Sequence, residues 1–376
     1  MSITPFGFAT AGTLRFGRGT VSEAVPFACA QARRALLLRS RSVAAADELL
    51  HSLRQNSDVL DLQASGEPDL PGVQANVEIA RNFRPDLVIA IGGGAVIDHG
   101  KALAALIPAP HNAMRYLEVV GEGQPLDTAP LPLVAIPTTA GTGAEVTRNA
   151  VIQIPDAKRK VSLRDPRLYP ALALVDPDLC LSCPKVVTLA SGLDAITQVI
   201  EPFICSRANP MTDALCRDAI PRGLSALHRL MDQDAAHAWD DMALTSLFGG
   251  LALSNAGLGA VHGFAGVIGG RTGGAHGAIC GTLLVPVLKA NAQAAPDSSI
   301  AKHRIAWVME QIAREFGHVE DFQNWIRAHG LPTISELGIT EQMHASIAHD
   351  TLQSSSYRAN PVDLQDGNLL QVLADS

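Results

Sequence analysis

The chain has 376 residues, 47% hydrophobic and 18% charged, a composition that folds and excludes a disordered chain. That length exceeds one ordinary core and suits two domains. The formal net charge of -8 excludes the basic surface that nucleic acid or an anionic membrane would require. The opening MSITPFGFATAG lacks the basic start and apolar run of a secretory signal. The most apolar runs, 87–91 and 131–136, are strand-length and too short to span a bilayer. Six cysteines, at 29, 180, 183, 205, 216 and 280, form no disulfide framework. The single CxxC at 180–183 has no second pair and reads as incidental rather than a zinc knuckle. A reducing, cytoplasmic setting is expected.

Along the chain, residues 35–38 read as a strand and 42–54 (SVAAADELLHSLR) as a helix. The run 86–91 (DLVIAI) is continuously apolar, the mark of a strand buried on both faces. Glycines follow at once, then a helical stretch over 95–106. Residues 131–136 repeat the theme and run into Pro137. Strands alternating with helices predict a parallel sheet with crossover helices. From Pro184 onward alanine- and leucine-rich helical patterns dominate, over 186–201, 210–232, 239–270, 278–294 and 298–316. The reading is α/β plus all-α: a Rossmann-like dinucleotide-binding domain over 1–178 and an all-helical domain over 179–376. A site in a cleft between the two is expected, as ligands commonly occupy such interfaces.

Gly92, Gly93 and Gly94 stand at a strand's carboxyl end, immediately before a helix. Glycines there let the backbone approach a ligand, and the helix N-terminus offers N–H groups to a pyrophosphate. This is where an open α/β sheet binds a nucleotide. The same residues could form only a tight turn, and Asp98 and Lys101, one helical turn apart, could be a solvated pair. No GxGxxG follows the first strand; Gly17 and Gly19 precede it and fit a turn.

GGGAVIDHGK resembles the GGGSxxDxxK signature of the iron-containing (group III) alcohol dehydrogenase family, with Ala95 in place of serine. PTTAGTGAEVT is similar to that family's PTTAGTGSE, with Ala144 in place of another serine. GLDAITQVIEPF, HGFAGVIGG and AHGAICGTLLVPV resemble its three metal-site segments in order and approximate spacing, and the likeness runs on to SSSYRANPVDL. It implies that Gly92, Gly93, Gly94 and Asp98 contact NAD or NADP. Thr138, Thr139 and Thr142 would reach the adenosine or nicotinamide side, with Lys160 a further contact. Clustered hydroxyls after a buried strand suit a ligand, although threonine is also a common cap and turn residue. Ser40, between Arg39 and Arg41, stands where the family carries an aspartate. A small polar residue beside guanidinium groups suits a 2′-phosphate, which favours NADP.

Asp194 and Gln198 lie four residues apart on a predicted helix and project from one face. His262 lies in a later helix, and His276 follows the glycine-rich GGRTGGA. The family holds a divalent metal, iron or zinc, with an aspartate and three histidines. Asp194, His262 and His276 match three of these and are the implied catalytic set, and Gln198 replaces the fourth. An amide oxygen grips iron or zinc less well than imidazole, yet three ligands plus water is the pattern of a catalytic zinc site. Gly266 stands where the family's HGxxH supplies a proton-relaying histidine, and the glycine opens space. Asn149 and Phe264 are the substrate-side candidates, Phe264 being equally a core residue.

The resemblance implies an NAD(P)-dependent oxidoreductase that interconverts a small alcohol and its aldehyde or ketone by metal-assisted hydride transfer. A homodimer is the expectation for a soluble enzyme of this apolar composition. Gln198 and Gly266 leave open a maleylacetate-reductase-like reductase of a keto acid that works without metal. A related metal-dependent synthase acting on a sugar phosphate would need basic residues around Asp194 or His262, where the sequence shows no basic cluster. A nucleotide-binding sensor or relic is the non-enzyme alternative, against which the retained aspartate and two histidines stand.

Overall fold

The computed structural model describes residues 4–376 except Ser42, Ser65, Lys158 and Asp234. Ser42, the start of the helix expected over 42–54, and the first three residues of the N-terminal segment lie outside the described residues. The chain divides into an α/β unit, Thr10–Thr139 with Gly143–Cys183, and a helical unit, Pro184–Ser376 with the segment up to Ala9 and Ala140–Thr142.

The α/β unit contains strands β1 (Thr13–Phe16), β2 (Arg34–Ser40), β3 (Asp58–Ala64), β4 (Leu87–Gly92) and β5 (Leu133–Pro137). After them come β6 (Asn149–Ile154), β7 (Arg159–Arg164) and β8 (Leu172–Val175). Its helices are α1 (Ala24–Gln31), α2 (Ala44–Arg54), α3 (Leu70–Phe83) and α4 (Gly94–Leu106). Six strands form one sheet in the order β1-β8-β5-β4-β2-β3, every neighbouring pair parallel.

The central strands β4, β5 and β8 are buried along their whole length because both faces are covered. Successive side chains alternate between faces. Leu36, Leu38, Val88 and Ala90 therefore join Val73, Val77 and Ala80 of α3 on one side. Ala35, Leu37, Ile89 and Ile91 join Ala24 and Ala28 of α1 and Leu49 and Leu53 of α2 on the other. The strand expected over 35–38 runs on to Ser40, because Arg39 and Ser40 continue the ladder against Gln63 and Ala64 of β3. Gly17 and Gly19 occupy a bend and turn, with φ of 141° and 81°, but they follow the first strand, β1, rather than precede it, since β1 lies ahead of the strand expected first.

In the α/β unit, strands β1, β3, β6, β7 and β8, and helices α1 and α3, are absent from the sequence reading. β3 is largely exposed or half-buried, and β1 has four residues, none of them buried. Neither carries the continuous apolar run that marks β4. β6 and β7 form a separate antiparallel hairpin in which β6 alternates between buried and half-buried residues.

The helical unit contains α5 (Lys185–Ile204), α6 (Pro210–Asp232), α7 (Ala238–Asn255), α8 (Ala260–Thr272) and α9 (His276–Ala294). It continues with α10 (Ile300–Phe316), α11 (Val319–Ala328), α12 (Glu341–Gln353) and α13 (Asp366–Ala374). α5 is the hub, packed against α6, α7 and α9. The single helix expected over 239–270 is two, α7 and α8, which meet at 98°. The break falls at Gly257, whose φ of 144° no helix can contain and few side chains adopt. Among the described residues no single helix is long and apolar enough to cross a membrane.

Close packing of α4 on the sheet depends on Gly100, where an added Cβ would lie 2.6 Å from Ala90 Cβ. Gly100→Val should cost about 1–3 kcal/mol of stability through overpacking. The check is a lowered denaturant midpoint at unchanged slope.

Candidate active site

Helix α5 carries Asp194, Gln198 and Glu201 at i, i+4 and i+7, so all three project from one buried face. Glu201 meets the start of α8. Gly259, at the N-cap, has no side chain to satisfy the helix's first N–H groups, and other residues do so. Val261 N donates to Glu201 Oε1 at 2.7 Å and Ala260 N donates to Asn360 Oδ1 at 3.0 Å. A Cβ at Gly259 would lie 2.8 Å from Glu201 Oε1 and 2.9 Å from Asn360 Oδ1, so the cap works only around a glycine. The same Glu201 carboxylate accepts from His262 Nδ1 at 2.7 Å. A carboxylate can only accept, so Nδ1 carries the proton and Nε2 is the ring's other face.

His262 Nε2 lies 3.4 Å from Asp194 Oδ1. His276, the first residue of α9, brings its Nε2 to 3.8 Å from the same oxygen. α9 can approach α5 this closely because residue 277 is glycine: a Cβ there would lie 2.1 Å from Ala190 O. One turn on, Cys280 Sγ lies 3.7 Å from His276 Nε2. Asp194, His262, His276 and Cys280 thus form a group whose donor atoms all lie within 4.8 Å of one another.

Among the described residues, Asp194 Oδ1, Gln198 Oε1 and His262 Nε2 are buried without a hydrogen-bond partner. Each such atom costs roughly 1–3 kcal/mol, and three together call for a shared partner. Burial alone would raise the Asp194 carboxyl, but His262, His276 and the Gln198 amide together hold it below its ordinary value. Burial likewise pulls His262 down, yet Asp194 beside its Nε2 and Glu201 bonded to its Nδ1 lift it to about 9. The site is a buried negative field lined with imidazole nitrogens and anchored by an outer carboxylate. That is the donor chemistry of a divalent-metal centre, and the residues present fit one.

In the α/β unit, Gly92 ends β4, Gly93 is the N-cap of α4, and Gly94 is its first residue. A Cβ at Gly92 would lie 2.6 Å from Val96 Cγ2, and one at Gly93 3.3 Å from Thr139 Oγ1. Thr138 N donates to Gly92 O at 3.0 Å, so Thr138 and Thr139 lie beside the glycine loop. Thr142 falls within the helical unit's short segment. Gly93 brings no side-chain cap to α4, and the bare loop at a helix N-terminus fits a pyrophosphate.

Beneath the loop lies a buried polar knot. Lys101, fully buried, donates from Nζ to Thr147 Oγ1 at 2.7 Å and to Asn149 O at 3.0 Å. Asp98 Oδ2 accepts from Val151 N at 3.1 Å. Burial pushes Asp98 up to about 6, Glu145 up to about 7, and Lys101 down to about 8. Asp98 and Lys101, readable as a solvated pair, instead tie α4 to β6. Asn149 takes part through its carbonyl. Lys160 is paired with Glu67 at 2.5 Å. Ser40 closes β2, and its neighbour Arg39 is buried, bidentate to Asp61 at 2.7 and 3.0 Å and bonded to Asp47 at 2.8 Å. Arg39 is therefore committed to two carboxylates, and of the two flanking arginines Arg41 is the exposed one. Phe264 is 0% exposed in the core of the helical unit. A Cβ at Gly266 would meet nothing within 4 Å, so that position is open.

Residues 11–177 match the family described as iron-containing alcohol dehydrogenase, and residues 188–376 match the C-terminal part of the Fe-containing alcohol dehydrogenase family. The chain belongs to the iron-containing alcohol dehydrogenase family. Alcohol dehydrogenase 4 of Saccharomyces cerevisiae is 30% identical, with 95% of each chain covered. The 4-hydroxybutyrate dehydrogenase of Cupriavidus necator is also 30% identical, with 92% of each covered. Among solved structures, a 1,3-propanediol oxidoreductase is 25% identical with a TM-score of 0.86 over 99% of both chains. A sulfoacetaldehyde reductase from Bifidobacterium kashiwanohense, in complex with NAD+, is 25% identical with a TM-score of 0.86, covering 99% of this chain and 98% of that one.

This family member is an oxidoreductase with a Rossmann-like unit and a candidate metal site. Two residues of that site escape the sequence reading, although both stand inside segments that carried the resemblance. Glu201 falls two helical turns after Asp194, and Cys280 one turn after His276. Helical spacing could have flagged both; what they face could not be read. Glu201→Gln should keep the α8 cap but weaken the grip on His262. Zinc affinity, read by chelator competition, should fall about 10- to 100-fold; an unchanged affinity would deny Glu201 that role.

Proposed function

We propose that this chain is an NAD(P)-dependent dehydrogenase that interconverts a small alcohol and its aldehyde or ketone. The observation that carries the reading is the buried convergence of Asp194, His262 and His276, with Asp194 Oδ1 and His262 Nε2 unpartnered. The activities of relatives, which concern alcohols, diols, hydroxy acids and aldehydes, support the substrate class, and the NAD+ complex of a relative supports the dinucleotide.

Asp194, His262 and His276 would hold the cation, with Gln198 Oε1 a further donor. When bound, the cation supplies Lewis acidity toward the substrate oxygen. The dinucleotide supplies or accepts the hydride. The chain's own residues do the positioning. Glu201 keeps the proton on Nδ1 of His262, so its Nε2 faces Asp194. The backbone of glycines 92–94 receives the pyrophosphate at the start of α4, and Asp98 steadies that helix against β6. Thr138, Thr139 and Thr142 offer hydroxyls to the adenosine and nicotinamide parts, with Lys160, held by Glu67, at the margin. Asn149, its carbonyl occupied by Lys101, offers its side-chain amide to the substrate. No imidazole stands at Gly266, so the alcohol proton leaves through water or the nicotinamide ribose. Ser40 brings no negative charge to the ribose, and Arg41 remains exposed, so the 2′-phosphate of NADP is tolerated.

Asp194→Ala should lower kcat/KM about 10³-fold, the several kcal/mol of a lost Lewis acid, with the dinucleotide Kd nearly unchanged. Parallel loss of turnover and dinucleotide binding would sink this division of labour. Ser40→Asp should cut kcat/KM with NADPH relative to NADH at least about tenfold, because a carboxylate repels the 2′-phosphate. An unmoved ratio would place the ribose elsewhere.

A further inference from the structure

We infer that Cys280 is a protein ligand of the divalent-cation site, taking over from the histidine that Gln198 replaces, and that the site is a thiolate-bearing one that favours zinc. The inference rests on the metal-dependent reading above and extends it to this chain's own donor set. Zinc bonds run about 2.0–2.1 Å to nitrogen or oxygen and about 2.3 Å to sulfur, so tetrahedral donors stand about 3.3–3.8 Å apart. The distances are 3.4 Å from His262 Nε2 to Asp194 Oδ1, 3.8 Å from His276 Nε2 to Asp194 Oδ1, and 3.7 Å from Cys280 Sγ to His276 Nε2. All four donors lie within 4.8 Å of one another.

His276 and Cys280 are i and i+4 on α9, on one face. Whatever binds Nε2 of His276 therefore has Sγ of Cys280 beside it. Two buried atoms in the group, Asp194 Oδ1 and His262 Nε2, lack partners and independently mark a ligand between these side chains. Gln198 is the competing fourth donor. Its amide helps hold the Asp194 carboxyl down, and its oxygen, although buried without a hydrogen bond, is a hard neutral donor, whereas thiolate selects zinc and other softer ions. Of the other cysteines, none belongs to such a donor group among the described residues. On coordination the Cys280 thiol gives its proton to solvent and the sulfur enters as thiolate.

The test is zinc loading of the full chain under reducing, anaerobic conditions, followed by metal analysis and zinc X-ray absorption. One zinc per chain with a single sulfur neighbour at about 2.3 Å is expected. Cys280→Ser should lose the sulfur neighbour and weaken zinc by more than about tenfold in chelator competition, beyond the loss typical of outer-shell changes. Gln198→Ala, which leaves the thiol in place, should keep the sulfur neighbour. A wild-type site with one zinc and only nitrogen and oxygen neighbours would overturn the role of Cys280 while leaving the metal-dependent reading intact. Absence of zinc uptake would overturn both. A sulfur neighbour that persists in Cys280→Ser would assign the ligand to another cysteine and also overturn it.

Discussion

The Glu201 carboxylate sits where three demands meet. It accepts from the first turn of α8, accepts from His262 Nδ1, and lies on the same face of α5 as Asp194. A buried carboxylate is tolerated only when its oxygens are satisfied, and here the donors come from a separate helix. The ion pair therefore fixes the start of α8 relative to α5, and with it the direction of one imidazole nitrogen. The break between α7 and α8, the glycine at 259 and the amide of Asn360 all serve that junction. Removing one partner of such a buried pair typically costs about 3–5 kcal/mol, because the other charge is left uncompensated. The electrostatics that lift His262 and hold Asp194 down are the field that suits a cation.

The α/β unit has a comparable device beneath its glycine loop. Lys101 is fully buried, and its ammonium is tied to Thr147 and to the start of β6. The signature residues of α4 thus do structural work: they join the helix that follows the glycine loop to the hairpin that carries Asn149. Arg39 plays a similar part near the end of β2, where Asp61 and Asp47 absorb its charge. A basic flank read from the sequence is therefore less basic in the folded unit.

Two departures from the family pattern, Gln198 and Gly266, fall in the segments that carry Asp194 and His262. Gln198 replaces an imidazole, Gly266 leaves an open position, and Cys280 lies one turn from His276. Asp194, His262, His276 and the Glu201 anchor nonetheless remain together in one cluster. An eroded site would be expected to lose its buried charges first, since unpaired buried charge is the costliest feature to keep.

Much of this protein was legible in the residues themselves. The uninterrupted apolar run of β4 announces a strand covered on both faces, glycines after it announce a close backbone approach, and alanine-rich stretches after Pro184 announce helices. Periodicity and local chain stiffness determine these, so local sequence suffices. Helix spacing also placed Asp194 and Gln198 on one face. Tertiary structure alone decided which partners meet. Nothing local says that Glu201 would cap a helix 60 residues away, that Arg39 would be neutralised by Asp61, or that Asp98 would reach Val151. Strand β3 and the β6–β7 hairpin were missed for the same reason, since a half-exposed strand acquires its identity from the neighbour it pairs with. Hydrogen bonds and charge pairs act over a few ångströms in space, and only the packed chain sets which residues lie that close.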